Sequence, residues 1–169
     1  MTASVKTPVL SEEQICEYFR EGYIVLRGLV SEEAIDKALA AAPAQERRED
    51  SGWGAQIFER ANPDKNYTLH QLAVQPRIID AVEQIFDAPA RLYYGMLALV
   101  PERGGQGLPW HQDNQYSQLL GNALNTFVAL CDITPDKAIL WVAPRSHLNG
   151  LVAAQDSQYY GAGHREAAI

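Results

Sequence analysis

Trp110-His111-Gln112-Asp113 sets an imidazole and a carboxylate two residues apart. In an extended segment alternate side chains share one face, so His111 and Asp113 reach toward a common point while Gln112 is directed elsewhere. An imidazole nitrogen and a carboxylate oxygen are two of the three donors of the 2-His-1-carboxylate triad, which leaves coordination positions open and belongs to non-haem Fe(II) oxygenases. A second histidine is the donor still to be found. A ligating imidazole is neutral, so metal affinity is expected to weaken below roughly pH 6.5, the ordinary histidine value. The competing reading is a metal-free hydrogen-bonded pair on a strand face.

The other histidines sit in plainer settings. His70, within Tyr67-Thr68-Leu69-His70-Gln71-Leu72, matches no catalytic pattern and reads as a structural or surface residue. His147 reads first as structural, with a supporting place near the site as the second possibility. His164 lies in the loop-like run Gly161-Ala162-Gly163-His164-Arg165-Glu166 and is not taken as a ligand. Gln106, Trp110 and Trp141 could line a pocket by position, although aromatic residues in strands more often belong to a core.

The elements that would carry these residues can be read from capping signals and periodicity. Ser11-Glu12-Glu13-Gln14 fits a capping box, Ile15, Tyr18 and Phe19 follow at helical spacing, and Gly22 can end the helix. Tyr23 to Gly28 reads as a short strand. Ser31, Glu32 and Glu33 open a second helix with Ile35, Ala38, Leu39 and Ala42 on its apolar face. Pro43 to Asp50 is charge-dense and reads as a solvated loop. A third helix starts near Pro76, with Ile78, Ile79, Val82, Ile85 and Phe86 as its core stripe. From Arg91 strands take over: Leu92 to Val100, Trp110 to Asp113 after a glycine-rich loop, Asn125 to Ile133, and Ile139 to Val142. The class is α+β with helices first. One domain over residues 1–169 is expected, helical over about 10–90, a β-sandwich over about 91–150, and a loop or disordered tail over 151–169.

The 169 residues and 47% hydrophobic content are enough for a real core. A formal net charge of −7 and a pI near 5.0 argue against nucleic acid or an anionic membrane surface as partner and point to a small molecule. Cys16 and Cys131 have no metal-type spacing, and with no apolar signal core at the start of the chain they fit a cytoplasmic protein. The longest uncharged apolar run, Tyr93 to Val100, is too short to span a bilayer.

Three stretches taken in order carry a family resemblance: Leu10-Ser11-Glu12-Glu13-Gln14 with Gly22 to Leu29, then His111-Gln112-Asp113, then Leu140-Trp141-Val142-Ala143-Pro144-Arg145-Ser146-His147. Over roughly residues 10–150 the chain resembles the phytanoyl-CoA dioxygenase family. The resemblance implies amino-terminal helices packed on a double-stranded β-helix, a cupin-like jelly roll, whose mouth holds Fe(II) and the co-substrate 2-oxoglutarate. His111 and Asp113 match the family's first two iron ligands. Its chemistry couples oxidative decarboxylation of 2-oxoglutarate by dioxygen to hydroxylation of a small-molecule or acyl substrate. Halogenating relatives have a small residue where Asp113 stands, so a retained carboxylate favours hydroxylation.

The chain also departs from that pattern. The family's second iron histidine and its 2-oxoglutarate-binding arginine lie on strands well beyond the Pro-x-Ser-His loop, and Leu148 to Ile169 shows no such strand. The readable strands supply about half of a jelly roll of some eight strands, so the sandwich is expected to be incomplete and the chain truncated, with open sheet edges that could pair with another copy. Lys137-Ala138 and Arg145 stand where the family commonly has glycine, and a residue with a Cβ costs on the order of 1 kcal/mol wherever the backbone needs positive φ. Beside the enzyme reading stands a non-catalytic remnant that acts, if at all, by binding. A different metal-dependent cupin-like enzyme is the third reading, and the amino-terminal helices weigh against it.

Overall fold

Helix α1, Glu12–Glu21, starts where its end groups are satisfied. The Ser11 side chain accepts from the Gln14 amide, and the Gln14 side chain accepts from the Ser11 amide. It stops at Gly22, whose φ of 83° lets its N–H reach the Tyr18 carbonyl. The computed structural model describes residues 7–42, 54–59, 67–99, 109–135, 139–156 and 165–167. Helix α2, Glu32–Ala41, is capped by the Ser31 side chain, which accepts from the Ala34 amide. Its inward stripe is Ala34, Ala38 and Ala42, whereas Leu39 is exposed. Small residues at this spacing let the short helix α3, Tyr67–Ala73, lie close against it.

Leu69 and Leu72 of α3 join Ala38 and Leu97 in one buried cluster, closed by Val30, Leu92, Val128 and Leu130. Burying a leucine contributes about 1.5–3 kcal/mol, so this short helix is held by its packing rather than by its length. Helix α4, Pro76–Phe86, begins on a proline and buries Ile78, Ala81 and Ile85. Ala81 and Ile85 meet Leu10, with Ile15, Tyr18, Leu26 and Leu124 around them. Gln84 fastens the entering chain: its Oε1 accepts from the amides of Val9 and Leu10 at 2.7 and 2.9 Å, and its Nε2 donates to the Leu10 carbonyl at 3.2 Å.

Strand β1, Gly54–Glu59, pairs antiparallel with β2, Tyr94–Leu99, in the register Gly54 opposite Leu99 and Glu59 opposite Tyr94. Asn114–Ser117 forms the single turn α5, and Ser146–Asn149 a 3-10 turn. Within the segment read as a loop or tail, β3, Ala154–Asp156, pairs antiparallel with β4, Arg165–Ala167.

The α+β class and the three helices opening at Ser11, Ser31 and Pro76 stand as read from the sequence. The jelly roll does not appear: among the described residues there are two separate two-stranded antiparallel sheets and no barrel. Tyr23 to Gly28, Trp110 to Asp113, Asn125 to Ile133 and Ile139 to Val142, all read as strands, join no ladder. Their composition suits extended backbone, but a strand needs a partner at hydrogen-bonding distance, and here side-chain packing orients the chain instead. Leu124, Val128 and Leu130 turn toward the two core clusters while Phe127 faces outward. Helix α3 and strand β1 were not expected from the sequence. The charged run from Pro43, the Lys137-Ala138 turn, Gln106 and His164 lie outside the described residues.

The loop after Pro144 is fastened to the end of α1. The Arg145 amide donates to the Glu21 carbonyl at 2.8 Å, and His147 Nε2 donates to the Phe19 carbonyl at 3.0 Å. Arg145 has φ of 63°, so the left-handed conformation that usually favours glycine is present at this position. Gly22 faces the His147 ring, which a Cβ there would overlap.

Two expectations follow. Gly22→Ala should lower the urea midpoint, with about 1–2 kcal/mol lost to the left-handed backbone alone and more to displacement of His147. His147→Ala in the same chain should recover the steric part as non-additivity, and strictly additive effects would contradict the contact. Arg145→Gly should stabilise by about 1 kcal/mol, because the exposed Arg145–Glu21 ion pair at 3.7 Å is worth little. Destabilisation in thermal melts would show that the arginine side chain outweighs the strain.

Candidate active site

His111 and Asp113 come together, though not on a strand. Asp113 has φ of −58° and ψ of −27°, already helical, and stands at the start of α5 without capping it through its side chain. The chain turns at Gln112-Asp113, and this turn brings His111 Nε2 to 3.2 Å from Asp113 Oδ1. The expectation of a shared face is thus corrected in its cause: a turn juxtaposes the side chains, not strand alternation.

Each member of the pair is held on its far side. His111 Nδ1 lies 2.6 Å from the Pro109 carbonyl oxygen. A carbonyl only accepts, so Nδ1 carries hydrogen and Nε2 is left as the nitrogen facing Asp113. Asp113 Oδ2 accepts from Asn125 Nδ2. The Tyr116 ring meets the imidazole edge-to-face, with centroids 5.7 Å apart at 82°, and limits its rotation. Asp113 raises the His111 imidazole above its ordinary value, burial opposes this, and the Pro109 carbonyl adds to the rise. Asp113 is lowered by His111 foremost, against burial, with help from Asn125.

The donor chemistry suits a metal. Two donors at right angles, each about 2.1 Å from one cation, lie about 3 Å apart, close to the separation seen here. A carbonyl on the remote imidazole nitrogen and an amide on the remote carboxylate oxygen are the outer partners that fix metal ligands. Among the described residues no group of three or more His, Cys, Asp or Glu side chains gathers here or elsewhere.

The remaining candidates are spread out. Trp110 adjoins the pair and is about half exposed, at 48%, while Trp141 is 70% exposed in the run before Pro144. His70 lies within α3, and His147 binds the Phe19 carbonyl as a structural residue does. Sequence reasoning missed Pro109, Asn125, Gln115 and Tyr116. Asn125 and the Pro109 carbonyl carry no sequence signal, but Gln115 three residues after Gln112 has the spacing of a helix-start box, and the Gln112 amide donates to Gln115 Oε1 at 3.2 Å.

A family model for phytanoyl-CoA dioxygenase (PhyH) matches residues 18–167. The chain belongs to the phytanoyl-CoA dioxygenase family. The match begins at Tyr18, in the last turn of α1, and runs through α2, α3, α4, the His111–Asp113 turn and the paired strands β3 and β4, so the phytanoyl-CoA dioxygenase assignment does not rest on the short motif alone. Searches of the curated proteins and of the solved structures give no match. No helix among the described residues is long and apolar enough to cross a membrane.

The linked titration has a definite sign in the metal-free protein. Because His111 is raised, its contribution to stability is complete below the ordinary 6.5 and is lost as pH rises through the raised value. Because Asp113 is lowered, its contribution is complete above the ordinary 3.8 and is lost as pH falls through the lowered value. NMR should therefore show the His111 ring titrating above 6.5, and Asp113→Asn should bring it down. An unmoved midpoint in that variant would contradict the pairing.

Proposed function

We propose that this chain is an Fe(II)- and 2-oxoglutarate-dependent dioxygenase that hydroxylates a small-molecule or acyl substrate, with His111 Nε2 and Asp113 Oδ1 as two iron ligands. The observation that carries the reading is the 3.2 Å approach of these donors, braced by Pro109 and Asn125, in a chain of this family. Iron with 2-oxoglutarate would supply the activation of dioxygen. The protein's own residues hold the donors in place. Pro109 keeps hydrogen on Nδ1, so the Nε2 lone pair becomes available once its proton leaves to solvent. Asn125 and the imidazole keep Asp113 ionised, which preserves its oxygen as a donor. A carboxylate at Asp113 supports hydroxylation over halogenation.

The finer architecture is part of the same proposal. Leu124, Val128 and Leu130, three residues of even position in the run 124–130, face the core while Phe127 faces outward, which fits an extended segment with one inward face. This pattern supports a single domain of helices on a jelly-roll scaffold. Open edges of the two-stranded sheets support pairing with another copy. Trp110, next to His111 in the chain and about half exposed, is a candidate for contact with substrate, and Gln106 and Trp141 are proposed as further substrate contacts.

Anaerobic Fe(II) titration, followed by succinate release and oxygen uptake with 2-oxoglutarate, tests the function. Wild type should bind one Fe(II) and release succinate, and His111→Ala and Asp113→Ala should bind at least tenfold more weakly and release none. Affinity should also fall as pH drops through the raised His111 value, already above the ordinary 6.5, since the proton and the metal compete for Nε2. Fe(II) binding that is equal in wild type and His111→Ala would contradict the ligand assignment.

A further inference from the structure

Gln112 stands between the two candidate ligands and points away from both. Its Nε2 donates to the Gly150 carbonyl at 2.9 Å, and its Oε1 accepts from the Val152 amide at 2.7 Å. One side chain thus bonds to the backbone of residues 150 and 152 as a neighbouring strand would. Gln115, one turn on, is the buried polar side chain of the described core. Its Nε2 donates to the Val152 carbonyl at 3.0 Å, and its Oε1 accepts from the Gln112 amide at 3.2 Å. Val152 is therefore gripped at both its N–H and its C=O, by two glutamines that flank Asp113.

The primary amide is needed because each contact uses a donor and an acceptor on one side chain. Glutamate at 112 would offer two acceptors and face the Gly150 carbonyl with negative charge. Asparagine would stop about one methylene short. Burial of Gln115 makes its bonds matter, since a buried amide left without partners costs about 1–3 kcal/mol. The gripped segment is anchored from its other side as well, through the 3-10 turn that carries His147 and its bond to the Phe19 carbonyl in α1.

We infer that Gln112 and Gln115 are positioning residues: by fastening the turn at residues 112–115 to Gly150 and Val152, they hold His111 and Asp113 at the separation that suits a shared metal. This rests on the metal reading above for its consequence, and on the hydrogen bonds alone for its geometry. Gln84 supplies the contrast. It grips Val9 and Leu10 in the same manner, and its bonds go to the entry of α1 and not to the turn at residues 112–115.

The test compares Gln112→Leu, Gln115→Leu and Gln84→Leu in the full chain, with folding checked by circular dichroism. Two readouts are taken: Co(II) affinity from its visible absorption, and the nuclear Overhauser contact between the His111 and Tyr116 rings in metal-free protein. The variants at 112 and 115 should weaken Co(II) binding about tenfold or more and lose the ring contact. Gln84→Leu should lower thermal stability and leave both readouts unchanged. Equal effects from all three variants, or an intact ring contact in the variants at 112 and 115, would overturn the inference. If wild type binds no Co(II) while the ring contact still depends on the two glutamines, the metal reading fails and the positioning role stands. Should a leucine variant unfold, Gln112→Glu, which keeps the shape and loses the donor, takes its place with the same expected losses.

Discussion

Backbone polar groups need partners, and where this chain lacks a sheet ladder its side-chain amides provide them. Gln84 binds residues 9 and 10, Asn114 closes on Leu119 through both its amide atoms, and Gln112 with Gln115 binds residues 150 and 152. Each is a long-range or turn-closing contact that a strand pair would ordinarily supply. The run 124–130 is placed instead by its inward residues Leu124, Val128 and Leu130. An amide offers one donor and one acceptor at the spacing of a peptide group, so it substitutes for a strand neighbour at single points only.

That arrangement explains how a turn, rather than a strand, brings an imidazole to a carboxylate. The two groups of the pair are coupled. With a proton on Nε2, imidazolium and carboxylate satisfy one another, which is why His111 is raised and Asp113 lowered. With the proton gone, the same atoms face a common point, with Pro109 and Asn125 already bound behind them. The pair is therefore braced from both sides, because each remote atom has its own partner independent of the central interaction.

Local rules made much of the first half legible. Ser11 with Gln14, Gly22, Ser31 and Pro76 mark helix ends through bonds or ring geometry confined to a few residues, and each helix forms where they indicate. The buried spacing of Leu69 and Leu72 was readable too, yet a seven-residue helix has too few turns to stand out from its surroundings. Arg145 shows the reverse case: its left-handed backbone followed from the expected turn, although its residue type argues against it. Strand pairing was the illegible part, because the β-forming composition of residues 125–133 suits an extended shape but names no partner. Within the site, His111 and Asp113 were visible as types at a spacing, whereas Asn125 and the Pro109 carbonyl depend on how distant backbone is folded back.

The central claim is that His111 and Asp113 address one metal ion through Nε2 and Oδ1. Anomalous diffraction at the iron edge, from crystals grown anaerobically with Fe(II), tests it directly. The expected result is one peak about 2.1 Å from both His111 Nε2 and Asp113 Oδ1, with the Pro109 and Asn125 contacts retained. A peak bound elsewhere in the chain, or no peak at this pair at saturating Fe(II), would contradict the account.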